Sequence, residues 1–72
     1  MDESEIRKLA GKTLTEAAAQ ISVSRSTLWN WERGRTRLTS EQVTALRRFY
    51  VGAISVWFAR LSAFLQSEGV QV

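Results

Sequence analysis

The sequence predicts an all-α fold of four or five helices, on three observations. Apolar residues recur three and four apart along most of the chain, and β-branched alternation is weak. The punctuation is that of helix ends: four glycines, no proline, and Ser/Thr residues placed where helices begin. At 72 residues the chain is expected to form a single domain. We divide it into a head over residues 1–48, an apolar helical segment over 49–66 and a frayed tail over 67–72.

A first helix is expected from Glu3 to Ala10, with Asp2 as its cap, a narrow apolar stripe of Ile6, Leu9 and Ala10, and Gly11 as its stop. Thr13-Leu14-Thr15-Glu16 has capping-box spacing and starts a short second helix through Ala17, Ala18, Ala19, Gln20 and Ile21. Ser22-Val23-Ser24 interrupts it. Ser24 is placed to cap a third helix from Arg25 to Arg33, closed by Gly34. Thr39-Ser40-Glu41-Gln42 forms another capping box. The segment after it keeps apolar spacing through Val43, Leu46, Tyr50, Ile54, Trp57, Leu61 and Leu65. Gly52 leaves open whether residues 40–66 form one helix or two.

Composition narrows the function. The chain has no Cys and no His, so zinc fingers, thiol redox motifs and His-based triads are excluded, and no metal site or cofactor is expected. No acid–base or nucleophile constellation is visible, and an enzyme is not expected. Ten Lys/Arg oppose seven Asp/Glu, and the excess is local. Residues 12–48 hold seven basic groups against three acidic ones, whereas residues 49–72 are neutral. A basic middle suits a polyanion such as nucleic acid, although a solvated arginine-rich face has the same composition. The N-terminus, Met1-Asp2-Glu3-Ser4-Glu5, is acidic and polar, unlike a secretory signal, so a cytoplasmic location is expected.

Two short helices joined by a three-residue turn outline a DNA-reading helix-turn-helix. Its packing needs are met at six positions. Ala17 and Ile21 face one way, Ala18 is small where the third helix crosses, and Val23 plugs the turn. Leu28 and Trp31 stand three apart to pack back on them. The run from Glu16 to Leu28, followed by Trp31-Glu32-Arg33-Gly34, resembles the helix-turn-helix of the Cro/CI (XRE-like) repressor superfamily. Its short second helix is also similar to excisionase and MerR-like units. The likeness covers roughly residues 12–48. It implies a lambda-repressor-like fold whose third helix enters the major groove. Where these families usually place glycine in the turn this chain has Ser22, so a positive φ there would cost about 1 kcal/mol.

In such a motif the third helix would read bases through Ser24, Arg25, Ser26, Trp29 and Asn30, with packing of Trp29 on the neighbouring loop as the alternative for that residue. Arg25 is suited to guanine O6 and N7, and Asn30 to adenine N6 and N7. Lys12, Thr13, Arg33, Arg35 and Arg37 are candidate phosphate ligands, and Glu32 is expected to be an intramolecular salt-bridge partner. From Phe49 to Leu65, thirteen of seventeen residues are apolar or aromatic, more than a small head can cover. A membrane span needs about 20 apolar residues, and Arg60 falls inside this run. Homodimerisation through Tyr50, Ile54, Trp57, Phe58, Leu61, Phe64 and Leu65 is expected instead, a monomer that packs the run into its own core being the alternative, with no membrane and no small-molecule ligand.

The combined expectation is a small dimeric regulator that occupies a pseudo-palindromic operator in double-stranded DNA. With no room for an effector domain, repression is the simpler mode. The alternatives are a helix-turn-helix subunit of a nucleoprotein assembly (small terminase, excisionase or transposase accessory) and a protein–protein adaptor docking through its apolar helix.

Overall fold

A computed structural model describes residues 2–67. Its elements are α1 (Glu3–Leu9), α2 (Leu14–Gln20), α3 (Arg25–Glu32) and α4 (Ser40–Ser67). Each begins with a cap visible in the sequence. Asp2 Oδ1 accepts from the Glu5 N–H at 2.9 Å, and Ser24 Oγ accepts from the Thr27 N–H at 3.1 Å. Thr13 with Glu16, and Thr39 with Gln42, form reciprocal capping boxes.

One device closes all three short helices. The residue after each C-cap has positive φ: Gly11 at 73°, Ser22 at 57° and Gly34 at 74°. That residue and the next send their N–H groups back over the last turn, which is the Schellman pattern. In α2 these bonds run from Ser22 to the Ala19 carbonyl and from Val23 to the Ala18 carbonyl. Ser22 thus adopts the left-handed backbone at the turn, at the roughly 1–2 kcal/mol that a Cβ costs there. The two bonds, and the partial burial of Val23 against the core, hold it in place.

The core of the head is Ala17, Ala18, Ile21, Leu28, Leu46 and Tyr50, with Ile6, Ala10, Leu14, Val23, Trp31, Leu38 and Phe49 packed around it. Two expectations need correction. Leu9 does not belong to the inner stripe of α1 and is 55% exposed. The inward positions are Ile6, Arg7 and Ala10, and Arg7 is buried because its charge is paired. Tyr50 is fully buried inside its own head, so it is unavailable to a second chain. Burial pushes its phenol up to about 12, with the Glu32 and Glu3 charges adding and Arg7 opposing.

The helix α4 is continuous from Ser40 to Ser67, which settles the question left open at Gly52. Gly52 is exposed and nothing lies within 4 Å of where its Cβ would be. One glycine costs about 1 kcal/mol there, too little to break a helix anchored by Leu46 and Tyr50. Of the tail expected over 67–72, Ser67 is still helical and residues 68–72 lie outside the described residues.

Candidate nucleic-acid interface

The position of α3 is set from below by apolar packing and from one end by an ion pair. Leu28 is fully buried against α2, and Trp31 is half-buried beside it. At the C-terminal end, Arg7 reaches across from α1 to Glu32 in a two-pronged contact, Nε to Oε2 at 2.8 Å and Nη2 to Oε1 at 3.1 Å. Arg7 Nη1 also donates to the Lys12 carbonyl at 3.1 Å, tying the α1–α2 turn to the same point. The side chains are only 10% and 5% exposed. The hydrogen bonds to Glu32 raise the Arg7 pKa further, against the opposing effect of burial.

The ion pair decides the charge of the surface beyond it. Glu32 stands next to Arg33 in sequence, yet its carboxylate is turned inward and neutralised by Arg7. Glu3 is likewise taken, by Arg47 of α4. Among the described residues no carboxylate pairs with Arg25, Arg33, Arg35 or Arg37, and all four are exposed. Their positive charge is free for an external anion.

Trp29 organises two of these arginines. The Arg33 guanidinium lies 4.0 Å from the indole centroid and that of Arg35 5.6 Å away. The α3 Schellman turn makes this possible, since the Arg35 N–H is held by the Asn30 carbonyl at 2.9 Å. On its other flank Trp29 borders a shallow depression lined by Leu14, Arg25 and Ser26. Arg25, Ser26, Trp29, Arg33 and Arg35 therefore form one continuous surface.

The remaining candidates are placed less directly. Ser24 spends its hydroxyl on capping, accepting from Thr27 N and lying 2.8 Å from Thr27 Oγ1. Asn30 is half-buried. The Lys12 ammonium lies 5.1 Å from the Phe49 ring centroid, and Arg37 stands in the α3–α4 linker. The Thr13 N–H already donates to Glu16 Oε1 at 3.0 Å, so a phosphate arriving there must displace a carboxylate. Bonds with the Thr13 backbone and then its hydroxyl hold the Glu16 carboxyl below its ordinary range, and Lys12 adds to this. Arg7 and the Leu14 side chain are additions to the sequence expectation, in which Thr13 and Leu14 offer only their backbone N–H groups to phosphate. For Leu14 the available signal was its place in the first turn of α2, facing the start of α3.

The family model HTH_3, Helix-turn-helix, matches residues 4–50. The chain belongs to the XRE-type helix-turn-helix family. It is accordingly a DNA-binding protein of transcription-regulator type. The match takes in α1 as well as the α2–α3 pair, and it ends at Tyr50, where the buried core of the XRE-type head also ends. No curated protein and no solved structure matches the chain.

Proposed function

We propose that this XRE-type protein is a sequence-specific regulator that occupies an operator in double-stranded DNA as a homodimer, in the manner of Cro/CI-like phage or prokaryotic repressors. The observation that carries the reading is the unneutralised arginine surface of α3 and its turn, arranged around Trp29 and braced from beneath by Arg7 and Glu32. With α3 in the major groove, Arg25 and Ser26 in its first turn meet base edges, where a guanidinium can bind guanine O6 and N7 together. Trp29 serves first as the platform for Arg33 and Arg35, which reach phosphates. Its free edge, with Leu14, offers an apolar contact to a thymine methyl. Asn30 reads one turn further along. Lys12, Thr13 and Arg37 supply outer phosphate contacts.

Repression follows from occupancy, since a protein lying in the groove excludes other proteins from the same site. A cytoplasmic location fits this role. Among the described residues, α4 is the one helix long and apolar enough to cross a membrane. Its first half, however, is used by the head through Leu46 and Tyr50. Arg60 stands near the middle of residues 51–67, where a charge is costly in a bilayer core.

Selection from a pool of randomised DNA duplexes tests the proposal. The expected product is a short inverted repeat with half-sites about 34 Å apart or a multiple of that. Recovery of duplexes without any shared sequence would refute sequence-specific reading. A single unrepeated half-site would refute the dimeric form.

A further inference from the structure

Beyond Tyr50, α4 leaves the head, and its apolar face goes on. Helical periodicity places Leu46, Tyr50, Trp57 and Phe64 along one line, flanked by Ile54, Leu61, Phe58 and Leu65. The first two are buried in the head. Trp57 and Phe58, by contrast, are 56% and 63% exposed, and Leu61, Phe64 and Leu65 are exposed too. The opposite side of the helix carries Gly52, Ser55, Ala59, Ser62 and Gln66. The bare stripe therefore faces the same side of α4 as the chain's own head.

Area and charge indicate what covers it. The chain exposes 5388 Å², whereas a compact monomer of 8.2 kDa exposes about 4,500 Å². The surplus, about 900 Å², is close to what each partner buries in a standard protein–protein interface. The radius of gyration is 15.1 Å, against about 11 Å for a compact chain of this length. Arg60 is the one charged residue in the described helix beyond Tyr50, and it borders the stripe, where its long stem can reach solvent. An uncharged stripe of Ile54, Trp57, Phe58, Leu61, Phe64 and Leu65 has the pattern of a helix in a bundle and suits a copy of itself.

We propose that two copies pair antiparallel along this stripe, with their heads at opposite ends. The proposal rests on the homodimer reading above and adds its geometry. Packed helices lie 8–10 Å apart. In a parallel pair both heads would have to fit between the two helices at the same level, and that space is too narrow. In an antiparallel pair only one head lies at each level, and Ser67 of the other copy stands level with Gly52, past Tyr50, the last buried residue of the head. The bare stripes then coincide, with Ile54 level with Leu65 of the second copy and Phe58 level with Leu61. From the stripe's midpoint to the head anchor between Leu46 and Tyr50, the rise along α4 places the two heads about 35 Å apart along the axis. That matches one turn of DNA, about 34–36 Å, the distance between adjacent half-sites.

The chain has no cysteine, so one introduced thiol carries a single spin label. Thr44 is exposed and lies outside the stripe. Sedimentation of the unmodified chain should give a dimer, and Thr44→Cys labels should lie about 45 Å apart. A dimer with labels within about 20 Å, as a parallel pair of helices requires, would overturn the antiparallel geometry while sparing the homodimer reading. A monomer would overturn both, and binding of that monomer to duplex DNA would show whether the reading head survives alone. Phe58→Glu should weaken dimerisation by about 10- to 100-fold with the head still folded. Undiminished dimerisation of that variant would place the interface elsewhere.

Discussion

Replacing Arg7 by alanine should unfold the head. The Arg7–Glu32 pair is nearly inaccessible to water, and removing one partner leaves the other charge buried without compensation, at about 3–5 kcal/mol. A core in a chain of this size rarely supplies more than about 3–5 kcal/mol in total, so the loss is of the order of the whole stability. The same substitution releases the Lys12 carbonyl, which Arg7 holds across the α1–α2 turn. The double replacement Arg7→Met with Glu32→Leu should be far milder, because burying two apolar side chains in place of an ion pair is often neutral or stabilising. Thermal unfolding followed by helix circular dichroism separates these outcomes. An Arg7→Ala variant melting within a few degrees of the parent would show that the pair contributes little, since about 1 kcal/mol corresponds to about 4–8 °C for a domain of this size.

Arg25→Ala should separate function from stability. Arg25 is the first residue of α3, where the helix dipole disfavours a cation, and the first turn holds no acidic residue to offset it. It is exposed, without a carboxylate partner among the described residues. Alanine at this position should therefore leave the melting temperature unchanged or slightly raised. Binding to the selected duplex should nevertheless fall by about 1–3 kcal/mol, roughly 5- to 150-fold, with relaxed preference at one base pair. Arg37→Ala is the contrast, since a phosphate ligand in the linker should weaken binding to all sequences alike. Titration of the two variants against matched and single-substituted duplexes distinguishes them. Unchanged preference in Arg25→Ala would remove it from the base-reading set.

Local signals made the head largely legible. Capping boxes at Thr13 and Thr39, the Ser24 cap and the glycines at 11 and 34 act within a few residues, and each stands where its spacing implies. The helix-turn-helix packing set was legible for the same reason, as Ala17, Ala18, Ile21 and Leu28 follow a short-range period. Arg7 was not legible. A charged residue inside an apolar pattern reads as solvent-facing unless its partner is known, and Glu32 lies 25 positions away. Apolar spacing alone puts Leu9 in the α1 stripe with Ile6 and Ala10, whereas the pairing with Glu32 turns Arg7 inward and leaves Leu9 exposed. Tyr50 was misassigned for a different reason. Periodicity gives the face of α4 but not the point along it where the head ends, and that point depends on where α1 and α2 pack across the helix. The stack of Arg33 and Arg35 on Trp29 needs the α3 turn geometry, which spacing alone does not supply.

On the proposed function the exposed face of α3 and its turn binds the phosphate-lined groove of double-stranded DNA, and the decisive check is the salt dependence of that binding. If each copy neutralises three or four phosphates, a plot of log K against log salt concentration for the dimer on its selected duplex should have a slope of about −5 to −7, at about −0.9 per phosphate. A slope near zero would show that this surface does not neutralise DNA phosphates.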